Sequence, residues 1–575
     1  MIIGAQLYWR NNMNLAELQK KLKKTKYDAY LISRNNIYID QDIRDDENTL
    51  MQLTNFTGSA GTLIITEKKC FLFVDGRYEL QAQQQVNPND IDVICTTNIS
   101  MSDWITQNLL NAKIGYNPWC WTIKDILKIK TATMIADEQF LPYTLTSKKI
   151  KLFEHDIAHC GTSREEKLSL LSEEIKNKQL QAYFISSSDS VSWLMNLRST
   201  TLPNTPVFRS FAIVDTKRHI WIFSDNVDDK KINTQLTYLP ISELASKLKK
   251  FKGQTIGFDF NHTSAAIFNL CQKNNINVQN IPDICQEHKS IKNECELFGI
   301  RNAHIRDGIS LCKFLFWLEN NWKNKTELDV VNKLHELRAK NTNFVSESFS
   351  TIAAFGPNGA IVHYSPTNTT NKKLERGNFI LLDSGAQYYD GTTDVTRTIV
   401  IDSISTQMSE DFTLVLKSHI ALNSAIFPQN TSGARLDAIA RQIMWKEGKN
   451  YNHGTGHGVG CFLNVHEGPQ YISPLCNQPI KAQQITSIEP GYYLENQYGI
   501  RIENMVEVCP AQYQGYLKFK NLTLVPIDNK AINKYLLTTE EIEWLNNYHQ
   551  EVYNNISPYL TEQEQEWLLQ ACSPL

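Results

Sequence analysis

The sequence predicts a multidomain protein of the α+β class, and three observations carry that expectation. At 575 residues the chain is too long for one hydrophobic core, so roughly three or four domains are expected. Through the first half, short apolar runs of strand character alternate with amphipathic helical stretches. From about Lys289 the texture changes to long helical patterns, then paired strands around tight turns, and finally a helical end rich in aromatics.

The elements follow in order. TLIITE and CFLFVD, from Thr62 and Cys70, read as neighbouring strands joined by charged turn residues, and YELQAQQQV as the helix after them. A second unit begins near Thr162, where SREEKLSLLSEEIKNK is an amphipathic helix with Ser163 as its cap, followed by the strands QAYFIS, RSFAIVD and HIWIFS. The two stretches look like αβ domains of similar size, a similarity that an old duplication would explain. ELFGIRNAHIRDGISLCKFLFWLENNW and TELDVVNKLHELRAK are helices, the second laced with i,i+4 charge pairs. NFILLDSG and TRTIVID then flank AQYYDGTTDV, whose Asp390 and Gly391 signal a hairpin. QITSIEPGYYL and GIRIENMVEV repeat the strand-turn-strand form, and EEIEWLNNYHQEV and EQEQEWLLQ close the chain as helices.

Composition removes several function classes. The hydrophobic content of 42% with 21% charged residues is ordinary for a soluble globular protein. With a formal charge of -3 and no lysine or arginine block, neither nucleic acid nor an anionic membrane is expected as a partner. No window approaches the roughly 18 apolar residues of a spanning helix. The start, MIIGAQLYWRNNMN, lacks the cationic opening and small-residue cleavage site of a signal peptide. Twelve cysteines are scattered from Cys70 to Cys572 without a C-x-x-C pair, which suits reduced, buried thiols in a cytoplasm.

HGTGHGVG, His453 to Gly460, is the densest cluster of glycine and histidine. Neither register of its glycines fits a dinucleotide-binding loop, and no phosphate-binding lysine follows. Four carboxylates lie beside apolar strands elsewhere. Asp383 ends FILLD and Asp394 begins the return strand; Glu489 ends ITSIE, and Glu503 sits in GIRIENMVEV. Any one of these alone reads as a solvated cap beside a turn. Two hairpins and a histidine loop can instead assemble four carboxylates and the His457 imidazole. Close-set carboxylates repel unless protonated or bound to cations. Oxygen donors with one histidine suit Mn²⁺, with Co²⁺ or Zn²⁺ as alternatives. Four acids exceed the need of one ion, so two metals roughly 3.5–4 Å apart match the count better.

DSGAQYYDGTTDVTRT, HGTGHGVG, NVHEGP, SIEPGYY and GIRIEN together resemble the metallopeptidase family of aminopeptidase P, prolidase and methionine aminopeptidase. FTGSAGT with VDGRYELQAQ, SWLMNLRSTTLPNTPVF and the ending LTLVPI to EWLNNYH extend the resemblance, to the long, three-domain cytosolic branch, over nearly the whole chain. It implies a pita-bread catalytic domain behind two creatinase-like domains: 1–155, 156–300, 301–515 and a helical extension 516–575. It also implies that Asp383 holds one divalent ion, His457 and Glu489 the other, and Asp394 and Glu503 both. The implied reaction releases the first residue from peptides with proline second, using a hydroxide that bridges the two ions.

In that scheme Glu489 is also the proton shuttle. His363 in GAIVHYSP, His453 and His466 match catalytic-pocket histidines, with His363 and His466 placed to bond the scissile carbonyl oxygen. Arg77 matches a substrate-binding arginine of the N-terminal domain. Arg501, two residues before Glu503, is expected on the same strand face, where it would orient the bridging carboxylates and serve as a further substrate-binding residue. Cys461 is expected to be packed core. A homodimer and a cytoplasmic location follow by analogy. Within the family, prolidases take only dipeptides and creatinase lacks the metal shell; a non-catalytic peptide-binding module would have lost the ligands that stand here complete.

Overall fold

The structure is a computed structural model that describes residues 14–143, 149–228, 232 and 236–575. The extreme N-terminal segment read above for a signal sequence lies outside the described residues, apart from Asn14. The chain divides into two compact units: Met1–Glu154 with Arg164–Leu202 and Val207–Cys285, and His155–Ser163 with Pro203–Pro206 and Gln286–Leu575.

The first unit holds two six-stranded sheets. One runs in the order 91–95, 70–74, 62–66, 29–33, 113–116, 133–136, and the other 238–239, 220–223, 211–215, 182–185, 255–258, 277–280. In both, two antiparallel pairings at the second to fourth strands are flanked by parallel ones. The same topology twice is what a duplicated αβ domain leaves behind. Fully buried strands such as Ala29–Ser33 and Ala182–Ile185 explain the continuous apolar runs, because both faces of these sheets are covered.

The long helix of the second unit, α1 (Glu294–Asn321), starts at a capping box made by Asn293 and Glu296. Helix α2 (Glu327–Arg338) follows, with a second box between Thr326 and Asp329. Strands β1 (Ile352–Phe355), β2 (Asn378–Ser384) and β3 (Val395–Ile401) form an antiparallel sheet with β2 in the centre. Between β2 and β3 the chain makes a smaller hairpin in which Tyr388 pairs with Gly391. Its two-residue turn is therefore Tyr389 and Asp390, one position before the Asp390–Gly391 signal, and Gly391 lies on the return strand.

Helices α3 (Thr406–Asn423) and α4 (Gly433–Lys446) flank a second sheet made of β4 (Ile426–Pro428), β5 (Gly456–Gly458), β6 (Glu467–Ile472), β7 (Ile485–Ile488), β8 (Asn504–Pro510) and β9 (Tyr516–Asn521). Its order is β4-β9-β8-β7-β5-β6, antiparallel throughout. The hairpin of Gly491–Leu494 with Tyr498–Arg501 sits between β7 and β8. Helices α5 (Thr539–Ile556) and α6 (Glu562–Ala571) end the chain. Leu545, Val552, Ile556 and Leu568 bury their side chains in one core with Phe412, Val415 and Leu416 of α3. The helical end is thus part of the second unit's main core. No helix among the described residues is long and apolar enough to cross a membrane.

Candidate metal centre

Strand register brings the four carboxylates into two pairs. Asp383 is opposite Thr396 in the β2–β3 ladder, which sets Asp394 just before the strand that faces it. Ile488 is opposite Asn504 in the β7–β8 ladder, so Glu489 and Glu503 leave the sheet side by side. The strand run read as GIRIENMVEV breaks at this point, and Glu503 falls in the break between Tyr498–Arg501 and β8. The backbone amide of Glu503 donates to the Thr396 carbonyl at 3.1 Å, and the Thr396 hydroxyl donates to Glu503 Oε2 at 2.9 Å. One residue of β3 therefore locks the two carboxylate-bearing segments together.

His457 enters from β5, and the glycines around it permit close backbone approach. A Cβ on Gly456 would lie 2.0 Å from the Ser487 carbonyl oxygen, and one on Gly458 would lie 2.2 Å from that of Glu467. Its amide donates to Ser487 Oγ at 3.0 Å, and its ring Nδ1 donates to the Gly458 carbonyl at 3.0 Å. A carbonyl can only accept, so the proton is on Nδ1 and the Nε2 lone pair faces the carboxylates. Nε2 lies 3.4 Å from Asp394 Oδ2 and 3.4 Å from Glu489 Oε1.

The electrostatics are those of a site built for cations. Ligand atoms of Asp394, His457 and Glu503 all lie within 4.8 Å of one another, and all three residues are buried. Asp383 Oδ1, Asp394 Oδ1 and Glu503 Oε1 are buried and receive no hydrogen bond from the described residues. Burial and then the negative charge of their neighbours push the carboxyls of Asp394 and Glu503 well above the usual range. Glu489 is raised chiefly by burial, which the positive charge of Arg501 partly opposes. Buried acceptors without donors, beside an imidazole lone pair, fit divalent cations and fit little else.

Arg501 is placed differently from its expected role. Its Nη2 donates to Asp383 Oδ2 at 2.6 Å, its Nη1 to Tyr493 Oη at 2.7 Å and its Nε to Thr396 Oγ1 at 3.2 Å. It orients Asp383 directly and reaches Glu503 only through the Thr396 hydroxyl. Tyr493 Oη also bonds His453 Nε2 at 2.8 Å, so His453 joins the network by way of a phenol. The His466 ring lies edge-on to His457, with centroids 4.2 Å apart. His363, half-buried, lies just past the turn Gly356–Ala360 that follows β1. Cys461 is buried as expected. Arg77 belongs to the first unit, where its guanidinium forks onto Asp75 with two contacts of 2.8 Å and remains 32% exposed.

Sequence reasoning passed over the residues that hold these side chains. Arg338 forks onto Asp307 at 2.8 and 2.9 Å, and Asp307 accepts the hydroxyls of Tyr388 and Thr393, each at 3.0 Å, next to Asp394. Lys289 and Lys292 both pair with Glu467, beside His466, and all three are buried. Asp307, Arg338 and Lys289, charged residues inside helices, gave no signal for this, since an i,i+4 reading assigns them to solvent.

The chain matches the model of metallopeptidase family M24 over residues 299–510 and that of its C-terminal region over 515–575. Residues 14–150 and 145–296 match two models of the creatinase/prolidase N-terminal domain. The chain belongs to family M24. Among its relatives, a probable Xaa-Pro aminopeptidase P of Aspergillus fumigatus is 33% identical, over 98% of this chain and 92% of that one. Aminopeptidase P2 of Arabidopsis thaliana is 34% identical, over 95% and 86%. The crystal structure of the X-prolyl aminopeptidase of Caenorhabditis elegans, described as a cytosolic enzyme with a di-nuclear active site, superposes with a TM-score of 0.91. It is 31% identical, and the match covers 98% of this chain and 100% of that one.

Proposed function

We propose that this protein is an Xaa-Pro aminopeptidase, a two-metal exopeptidase that removes the first residue from peptides whose second residue is proline. The observation that carries the reading is the buried set of donor-less carboxylate oxygens around the His457 lone pair, in a chain of this family. Asp383 would hold one ion, His457 and Glu489 the other, and Asp394 and Glu503 both. Mn²⁺ is the ion this donor set favours, with Co²⁺ or Zn²⁺ as alternatives. When bound, ions held by these residues would supply Lewis acidity, lowering the pKa of a coordinated water and polarising the scissile carbonyl.

The remaining work falls to side chains. Glu489, raised by burial, takes the proton that the attacking water gives up and passes it to the proline nitrogen, which leaves as an amine. Ser487 Oγ holds Glu489 Oε1 at 3.2 Å, fixing which oxygen is free for that transfer. His466 and His363 hydrogen-bond the carbonyl oxygen as it gains charge, and the His457 ring supports His466 edge-on. Arg501 keeps Asp383 aimed, and His453 steadies Tyr493. Arg77 binds the substrate from the N-terminal part of the chain. The four-part division given above, a homodimer and a cytoplasmic location complete the proposal, the last two supported by likeness to the long branch of the family.

The test is a small peptide panel with Mn²⁺ supplied. An X-Pro-X tripeptide should lose its first residue, an X-Ala-X tripeptide should be a poor substrate, and chelation should stop the reaction. Cleavage of X-Pro dipeptides alone would assign the chain to the prolidases instead.

A further inference from the structure

The buried guanidinium of Arg397 has an unusual set of partners. Its Nε donates to the Pro526 carbonyl at 3.1 Å. Nη1 donates to the carbonyls of Thr396 at 2.9 Å and Glu503 at 2.6 Å. Nη2 donates to Asn504 Oδ1 at 2.8 Å, the Val525 carbonyl at 2.7 Å and Tyr548 Oη at 2.8 Å. No partner is a carboxylate. A buried cation is costly unless its donors are met, and here neutral oxygens meet them all. The charge is nonetheless felt: burial first and then Arg397 push His419 and His549 down to about 3 and about 4.

These partners sort into two groups. One is the backbone of the metal centre: Thr396 and Glu503 are already joined by the 3.1 Å amide bond, and Nη1 reaches the carbonyls of both. The other lies in the C-terminal region, where Pro526 and Val525 precede α5 and Tyr548 is on it. Tyr548 Oη in turn donates to the Val525 carbonyl at 2.7 Å, and Trp544 stacks on its ring with centroids 5.5 Å apart at 7°. Next to it, His549 Nε2 accepts the Ile527 amide at 3.1 Å. The phenol and the guanidinium form one rigid link from the last helices to the segments that carry Asp394 and Glu503.

We propose that the C-terminal region is the outer support of the metal centre, with Tyr548 and Arg397 as positioning residues that hold the Asp394 and Glu503 segments at ligating distance. The proposal rests on the two-metal reading above. It gives the last 60 residues a role in metal affinity and not only in packing. Partners outside the ligand shell of metal sites commonly govern affinity by about 10–100-fold.

Titration of Mn²⁺ into chelator-stripped full-length protein, followed by calorimetry, tests it. Tyr548→Phe removes one hydroxyl and leaves the ring stack, so the fold should survive. The expected result is a loss of Mn²⁺ affinity of about 10-fold, with kcat lowered and KM unchanged at subsaturating metal. Leu568→Ala is the comparison, because it loosens the same core from α6 without touching Arg397. It should lower the melting midpoint of the metal-free protein more than Tyr548→Phe does, yet leave Mn²⁺ affinity within about twofold. Arg397→Lys, which keeps the charge and loses the fork, should resemble Tyr548→Phe or exceed it. Affinity unchanged in Tyr548→Phe, or a loss in Leu568→Ala in proportion to its lost stability, would overturn the proposal. A wild-type protein that takes up no divalent ion would overturn the two-metal reading beneath it.

Discussion

Replacing Asp394 by asparagine should make the metal-free protein more stable while removing its chemistry. Asp394 is 4% exposed and Glu503 1%, with ligand atoms no more than 4.8 Å apart. Coulomb's law at an effective dielectric of about 20 gives two ionised carboxylates at 4.8 Å a repulsion of roughly 3.5 kcal/mol. Partial protonation of the pair reduces this, so relief of about 1–3 kcal/mol is expected from the isosteric amide, which leaves no cavity. The sign with pH follows from the raised carboxyls. Their folded-state pKa values lie above the unfolded ones, so the penalty is absent below about pH 4, grows as pH rises from the unfolded values towards the folded ones, and is constant above them. Thermal melts in excess chelator should therefore show Asp394→Asn above wild type at pH 8 and level with it near pH 4. With Mn²⁺ added the order should reverse, because only the wild type gains binding energy. A variant that melts lower than wild type in chelator at pH 8, and still binds Mn²⁺ normally, would refute the reasoning.

Other expectations follow from the same geometry. Glu489→Gln should lower kcat by about 10²–10⁴-fold on an X-Pro-X peptide, as removal of a proton-transfer group does, measured at saturating metal. Arg77→Ala should raise KM and leave the metal content of the purified protein unchanged; kinetics equal to wild type would remove the N-terminal region from substrate binding. Glu467→Gln strands the buried ammonium groups of Lys289 and Lys292 and should cost about 3–5 kcal/mol in chemical denaturation of the second unit. Mn²⁺ affinity should go on rising with pH above the ordinary carboxylate range, since the raised carboxyls must lose protons to bind.

The elements that place the site were legible because they obey local rules. Apolar runs ending in Asp383 and Glu489 did become strands, and the two stretches read as helices from Glu296 and Thr326 did become helices, although the capping boxes that start them went unread. The glycines beside His457 are required by the backbones that press on them. What stayed illegible depends on contacts between distant segments. Nothing near Arg338 says that it will be buried on Asp307, and nothing near Arg397 points to a tyrosine 151 residues away. Arg501 shows the same limit, since strand alternation placed it with Glu503 whereas the strand breaks after Arg501, whose guanidinium bonds Asp383. Repeated sheet topology in the first unit was visible only as two stretches of similar texture.

Anomalous diffraction at the manganese edge, from crystals of the full chain soaked in Mn²⁺, tests the central claim most directly. Two peaks enclosed by Asp383, Asp394, His457, Glu489 and Glu503 are the expected result. A map with no peak there, or with manganese bound only elsewhere, would contradict the account.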